Sequence, residues 1–314
     1  MKKLLFISYV LGLFACSQKA YLFTSFHEPA NEGLRMLYSY DGKKWNDFDT
    51  VFLKPTVGVN ADKIMRDPSM AQAPDGTFHL VWTTEWKGSQ GFGYAHSTDL
   101  LHWDNIKYLP VMQHDPFVTK GEPKPSNAVN VWAPELFYDA DSARYIIVWA
   151  SCLPGKFEKG IEDENNNHRL YYITTKDFVN FTETRLFLDP GFSVIDAQIV
   201  KRGQKDYVLV LKDNTRPERN IKVAFGESPI GPWKNVSKPF TEQFTEGPNT
   251  VKLKDEWYIY FDSYKKKTYE AVKTKDFINF TNAATEVQVP EGHKHGTIVP
   301  VKKKTVKKLI KQLK

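Results

Sequence analysis

Cysteine is nearly absent from this 314-residue chain, which has two, Cys16 and Cys152. With one of them at the extreme N-terminus, the body has no partner for Cys152, so no intramolecular disulfide can staple it. No Pro/Gly/Ser-rich linker divides the sequence, so one large unit is expected rather than two modest domains. Helical periodicity is missing from the body. The one continuous apolar run, Leu4 to Phe14, is too short to span a bilayer as a helix. A strong basic surface is also missing. The formal charge is +6, but seven lysines lie in residues 302–314 and two more are Lys2 and Lys3; without those nine the body carries −3. That balance argues against a nucleic-acid partner.

The two ends read differently from the body. Lys2 and Lys3, the apolar run and then Ala15 before Cys16 have the build of a bacterial lipoprotein signal over residues 1–16, with Cys16 as the acylated residue. An ordinary cleaved signal with an incidental cysteine is the plainer alternative. An exported protein of the periplasm or outer membrane, tethered by its lipid, is therefore expected. At the other end Val306, Leu309, Ile310 and Leu313 fall at i, i+3, i+4 and i+7, so residues 302–314 can form a basic amphipathic helix. A solvated, partly frayed tail is expected in preference to a membrane-docked one.

What the body does contain is a repeat. Ser39-Tyr40-Asp41 precedes Trp45, Ser97-Thr98-Asp99 precedes Trp103, Thr175-Lys176-Asp177 precedes Phe181, and Thr274-Lys275-Asp276 precedes Phe280. A degenerate copy, Ser228-Pro229, precedes Trp233, and the five aromatics follow one another at 58, 78, 52 and 47 residues. Ser/Thr and Asp side chains bond nearby backbone amides, so the phrase reads as a hairpin corner with the aromatic opening the next strand. Ahead of each corner lie β-branched and aromatic runs bounded by turn residues, such as Phe78–Trp82, Tyr145–Trp149, Tyr207–Leu211 and Trp257–Phe261. The first complete unit reads as four strands at 67–74, 77–84, 90–97 and 103–109. Such a repeat points to an all-β, five-bladed β-propeller over residues 17–301. The first phrase has only three strands, at about 20–27, 33–40 and 44–52; its missing inner strand is supplied by His295–Val301, closing the ring between the termini.

The inner strands of a propeller begin around one axis. Asp67, Ala133 (with Glu135 two residues on), Asp196, Glu246 and His295 stand at those five starts. Three acids from three blades would converge on one pocket. Crowded carboxylates raise one another's pKa and add nothing to folding, so a shared chemical site is the economical explanation. Glycoside hydrolysis uses such a set: one carboxylic acid protonates the leaving oxygen and one carboxylate activates water across the ring.

At these residues the chain resembles glycoside hydrolase family 43, five-bladed propeller enzymes acting on arabinose- and xylose-containing glycans. The carriers are Arg66-Asp67-Pro68-Ser69, Trp132-Ala133-Pro134-Glu135, Ile195-Asp196-Ala197, Glu246-Gly247-Pro248 and His295-Gly296-Thr297-Ile298-Val299-Pro300. The resemblance implies that Asp67 is the general base, Asp196 the residue that tunes and orients the acid, and Glu246 the general acid. It also makes His295 the axial histidine, which in the family holds a calcium or its water shell. Calcium prefers oxygen ligands, so His295 is expected to act through water; no cofactor is required for the chemistry. An N-terminal blade segment ahead of Asp67 departs from the family's usual pattern. No separate carbohydrate-binding domain is expected, and a monomer is.

Arg66, Trp86, Trp132, Glu135, Lys212 and Arg216 are the expected contacts to an oligo- or polysaccharide. The tryptophans serve as stacking platforms, and the two cations sit on a loop after the second strand of their blade. Loops 110–130 and 152–168 are expected to wall the pocket and favour chain-end attack. The reading is an inverting, exo-acting α-L-arabinofuranosidase. β-Xylosidase, galactofuranosidase, endo-arabinanase and a non-catalytic glycan-binding lipoprotein remain open, and a fructosidase ranks below them.

Overall fold

The computed structural model describes residues 19–118 and 122–314; the expected lipoprotein signal and Cys16 lie outside them. Five sheets are arranged in a ring. Blade I is built from β1 (Lys19–Ser25), β2 (Arg35–Ser39), β3 (Asn46–Asp47) and the C-terminal β19 (Ile298–Lys302), in the order β19-β1-β2-β3. Blade II runs β4 (Arg66–Gln72), β5 (Phe78–Thr83), β6 (Phe92–Ser97), β7 (Asp104–Leu109). Blade III runs β8 (Trp132–Asp139), β9 (Arg144–Cys152), β10 (His168–Thr175), β11 (Arg185–Leu188). Blade IV has β12 (Val194–Gly203), β13 (Asp206–Asp213) and β14 (Asn220–Gly226), its fourth strand reduced to a bridge between Phe225 and Lys234 beside the degenerate repeat. Blade V runs β15 (Thr245–Leu253), β16 (Glu256–Ser263), β17 (Thr268–Thr274), β18 (Thr281–Asn282). The fold is the expected five-bladed propeller. Its closure is the expected one too: β1 pairs antiparallel with β19, Leu22 opposite Val299.

The repeated phrase works as a corner between the third and fourth strands. Thr175 Oγ1 accepts the amides of Asp177 and Phe178, and Asp177 Oδ1 accepts those of Val179 and Asn180. The same four bonds recur at Ser39/Asp41, Ser97/Asp99 and Thr274/Asp276. In every copy the residue after the aspartate is left-handed: Gly42, Leu100, Phe178 and Phe277, with φ of 75°, 70°, 56° and 62°. That twist aims the side chain back into the protein. Leu100, Phe178 and Phe277 are buried.

Five apolar cores lie between neighbouring blades, and each takes the repeat aromatic of one blade against the preceding blade. Trp103 packs with Leu22 and Met36 of blade I, Phe181 with Val81 and Tyr94 of blade II, and Trp233 with Ile146 and Val148 of blade III. Phe280 packs with Val208 and Val210 of blade IV, and Trp45 with Tyr258 and Tyr260 of blade V. The phrase is thus the fastener between blades.

The C-terminal tail is not frayed. Lys303–Gln312 forms helix α1, and Val306 and Leu309 are buried against Ala20, Leu22 and Val301 of blade I. Its apolar stripe is spent on the propeller, over the ring-closing strand, while most of its lysines face outward. Residual apolar periodicity in a cationic segment was the signal; what it packs against is a long-range fact. Cys152 is buried and free.

The corner geometry predicts that Thr274→Val, which removes an oxygen accepting two amides inside a nearly closed site, destabilises the protein by about 1–2 kcal/mol in urea unfolding. A change under about 0.3 kcal/mol would mean that the corner bonds add nothing to water's.

Candidate active site

Four of the five inner strands begin with the same irregularity. β4 breaks register with β5 between Arg66 and Ser69, and β8, β12 and β15 do so against β9, β13 and β16 at Trp132/Glu135, Ile195/Gln198 and Glu246/Asn249. The second residue of each bulge is left-handed: Asp67 at 49°, Ala133 at 46°, Asp196 at 51° and Gly247 at 58°. Non-glycine residues held in that region carry strain, and such strain gathers at working sites. Blade I lacks the bulge, but its height is fixed in the same way. Ile298 donates its amide to Asn249 Oδ1, as Leu136 does to Ser69 Oγ and Thr250 to Gln198 Oε1. Counting back from those bonds makes His295 the equivalent of Asp67, Ala133, Asp196 and Gly247.

Three rings result around the axis. The first holds Lys294, Arg66, Trp132, Ile195 and Glu246; the second His295, Asp67, Ala133, Asp196 and Gly247; a deeper third Thr297, Ser69, Glu135, Gln198 and Asn249. Glu246 therefore stands one residue ahead of the two aspartates rather than level with them. The bulge hides this in the sequence, because the distance to the following turn is conserved only to within a residue or two.

The first two rings open into a cavity of about 230 Å³ lined by Arg66, Asp67, Trp86, Trp132, Asp196, Lys212, Glu246 and His295, together with Thr83, Asn166, Ile195 and Asn214. His295 Nδ1 lies 3.3 Å from Asp67 Oδ1, and Thr83 Oγ1 donates to Asp67 Oδ2 at 2.9 Å. Asp196 Oδ2 accepts the Gly247 amide at 3.0 Å. Lys212 Nζ is 2.8 Å from Glu246 Oε2. The His295 ring fits because residue 247 is glycine: a Cβ there would meet the ring at 2.6 Å.

These contacts set the charges. Burial pushes Asp67 up, but the His295 hydrogen bond and charge, then Arg66 and Thr83, outweigh it and bring the carboxyl below its usual range. Asp196 is raised, by burial and by Glu246 and Asp67, against the pull of His295 and Lys212. Burial also works against Glu246, yet the Lys212 charge and hydrogen bond lower it. On His295 burial opposes protonation, but Asp67, Asp196 and Glu135 hold the proton, raising the pKa to about 9. The axial histidine is thus a buried cation among carboxylates. Its Nδ1 faces Asp67, and the expected calcium held by His295 through water finds no support in the surrounding side chains. Among the described residues, His295 belongs to no group of three side chains at ligand spacing.

The other predicted contacts divide. Arg66 stacks its guanidinium 4.0 Å from the Trp86 ring and 4.8 Å from Phe26 while pairing with Glu28 at 2.7 Å. Trp86 is 55% exposed and free on its outer face, whereas Trp132 stacks on His168 and donates Nε1–H to Trp86 O. Lys212 lies on β13, not on a loop, and is nearly closed from solvent. Glu135 does not reach the cavity. It sits beneath, its Oε2 accepting from Thr297 Oγ1 at 3.0 Å, because its place is in the deeper ring. Arg216 is also outside, pairing with Asp163 and Glu162 in the loop before β10. That loop does wall the cavity through Asn166, which accepts from Asn214. Among the described residues the loop after β7 does not: several of residues 110–118 line a separate cavity of about 420 Å³ with Phe181 and Thr184. Thr83 and Asn214 went unnoticed in the sequence. Thr83 and Lys212 are the cross-strand partners of Arg66 and Ile195, so the last residues of the second strands were the available signal.

With this geometry in place, likeness to known proteins becomes informative. The family described as "Probable glycosyl hydrolase domain", related to glycosyl hydrolase family 43, matches residues 17–307. An α-L-arabinofuranosidase of Bifidobacterium longum is 25% identical over 258 residues, covering 65% of this chain but only 23% of that protein. A solved GH43 β-1,3-galactosidase with galactodeoxynojirimycin superposes with a TM-score of 0.60 at 15% identity, over 85% of this chain and 90% of the other. A thermostable family-43 glycoside hydrolase gives 0.53 at 14% identity, over 78% and 82%. The catalytic domain of a Coprinopsis cinerea GH62 α-L-arabinofuranosidase gives 0.52 at 14%, over 77% of each. At such identities the superpositions speak for the fold.

Burial raises Glu135 to about 7, against hydrogen bonds from Ser69, Thr297 and Gln198 and the His295 charge. A carboxyl raised on folding stabilises fully below its unfolded pKa, and that contribution is lost as pH rises through the folded value. Glu135→Gln should therefore remove a stability loss of up to roughly 3 kcal/mol between about pH 4.5 and 7. Its melting temperature should fall less than the wild type's between pH 5 and 8; parallel curves would contradict a raised Glu135.

Proposed function

Since the chain belongs to the family-43-related glycosyl hydrolases, we infer that it is an inverting, exo-acting α-L-arabinofuranosidase. The observation that carries the reading is the convergence of Asp67, Asp196 and Glu246, from three blades, on one cavity beside an exposed tryptophan. The cavity's modest volume suits a single terminal sugar more than a chain running through, and Asn166 raises one wall. The B. longum relative supports arabinofuranose as the sugar.

In the reaction Asp67, kept ionised by His295, removes a proton from a water whose oxygen bonds to the anomeric carbon from one face. The glycosidic C–O bond breaks on the opposite face, and the leaving oxygen takes a proton from Glu246. The product anomer is inverted, and solvent returns the proton from Asp67 to Glu246. Glu246 must carry a proton to act, whereas Lys212 holds it ionised in the free site. Sugar hydroxyls that draw the ammonium away from Glu246, beside the raised Asp196, provide the needed change. Substrate binding thus arms the acid. Trp86 offers the flat apolar face for the sugar, with Arg66 fixed behind it.

Asp67→Asn and Glu246→Gln should each lower kcat/KM on a natural arabinoside by about 10²–10⁴-fold. With an aryl arabinofuranoside whose leaving group needs no proton, Asp67→Asn should stay impaired while Glu246→Gln recovers much of its rate. Wild-type turnover in both variants would sink the site assignment. NMR of the first-formed sugar should show inversion, and retention would refute the mechanism. Turnover of aryl β-xyloside or β-galactoside exceeding that of the arabinofuranoside would overturn the sugar but not the mechanism. Absence of hydrolysis across all three would favour a glycan-binding role.

A further inference from the structure

Where the chain ends meet in blade I, two histidines and an aspartate from three segments face one another. His27 follows β1, Asp47 ends β3 and His293 precedes β19. One ligand atom from each lies within 4.8 Å of the other two. The two imidazole rings are 4.5 Å apart, inclined at 67°. None of the three lines the catalytic cavity.

A proton inventory shows what this cluster lacks. Ser25 Oγ lies 2.9 Å from Lys294 O and 3.3 Å from Phe26 O, either of which can take its proton, and accepts the Lys294 amide at 3.0 Å. When the hydroxyl serves a carbonyl, His293 Nδ1, 3.1 Å from the same oxygen, is the donor in that contact. In that tautomer a neutral His293 presents a bare lone pair at Nε2, 3.0 Å from Asp47 Oδ2, and two acceptors at that distance favour a cation between them. The His293 side chain is 1% exposed, so water does not reach this contact freely. The third group repeats the pattern: His27 Nε2 is shut off from solvent and has no hydrogen-bond partner. Arg35, the neighbouring cation, is occupied by Glu32 through bonds of 3.0 and 2.7 Å.

We propose that His27, Asp47 and His293 form a site for a borderline divalent transition-metal ion of the zinc class, with water completing the coordination. Two imidazole nitrogens and one carboxylate oxygen suit zinc and not calcium. Adjacent ligands on a tetrahedral ion with bonds of about 2.0–2.2 Å stand roughly 3.3–3.6 Å apart, so Asp47 Oδ2 and His293 Nε2, now at 3.0 Å, need to part by only a few tenths of an ångström to take the ion. Ser25 Oγ holds the other ring nitrogen of His293 from behind at 3.1 Å, as outer-shell partners of metal-bound histidines do. The ion would tie the N-terminal strand of the closing blade to the C-terminal segment that carries His295. Phe26, next to His27, packs under Arg66, so the clamp also backs the wall of the active site. It is separate from the axial position of His295.

The test uses untagged protein, dialysed against EDTA and then chelator-free buffer, and titrated with Zn²⁺ by calorimetry and thermal unfolding, with Co²⁺ as the visible-absorption probe. One equivalent of Zn²⁺ should bind, raise the melting temperature by about 5 °C or more at 100 times its Kd, and Co²⁺ should give a tetrahedral-type spectrum. His27→Ala removes no protein hydrogen bond at Nε2, so it should fold and turn over substrate while weakening zinc at least about 10–100-fold and losing the thermal shift. His293→Gln should lose both signals as well; if it fails to fold, His27→Ala alone decides. No zinc binding at micromolar concentrations, or binding and spectrum unchanged in His27→Ala, would overturn the proposal. Hydrolysis does not enter these readouts, so they stand or fall apart from the catalytic assignment.

Discussion

A buried positive charge on His295 is the constraint on which the active site depends. The geometry of the blades gathers Asp67, Asp196, Glu246, Glu135 and Asp262 near one axis, and burial alone would drive all five toward the neutral form. His295 opposes this at each of them. It contacts Asp67 directly, so the acid that has to be a base is one whose carboxyl is brought below its usual range. Lys212 does the same for Glu246, and Lys294, 2.8 Å from Asp262, for that residue. Every one of these ion pairs joins neighbouring blades. The charges that tune the chemistry also stitch the ring, and removing one partner leaves a buried ion uncompensated.

Position along the inner strand sorts these tasks. At the level of the bulge residue, left-handed in four of the blades, one blade gives a cation, two give carboxylates, and two give small residues. The smallest, Gly247, is the space in which the His295 ring lies. Two residues deeper, side chains accept amides from the next blade and lock the strands at fixed heights. Chemistry is thus carried where the repeat is irregular, on a frame held by its most regular parts: the corners and the five inter-blade cores.

Much of the frame was legible because its causes are local. Ser/Thr-x-Asp followed by an aromatic specifies a corner through bonds within five residues, and its recurrence gave blade number, strand order and closure through His295–Val301. Asp67, Asp196, Glu246 and His295 could be found by measuring from those corners. The exact level of Glu246 could not, since a bulge adds a residue without a sequence mark. Lys212 and Arg216 looked alike in the sequence, and only pairing across strands separates a buried ammonium on Glu246 from a guanidinium that ties a loop. Glu135 sits where the ruler put it, but its depth below the cavity follows from the bulge. The helix at Lys303–Gln312 had the right period; its docking on blade I depends on residues almost three hundred positions away.

The most direct measurement is the titration of His295 itself, followed by NMR of its imidazole in the wild type and in Asp67→Asn. A value near 9 in the wild type, falling when the Asp67 charge is removed, is the result this electrostatic account predicts. A His295 that titrates at or below the ordinary histidine value, unmoved by Asp67→Asn, would contradict it.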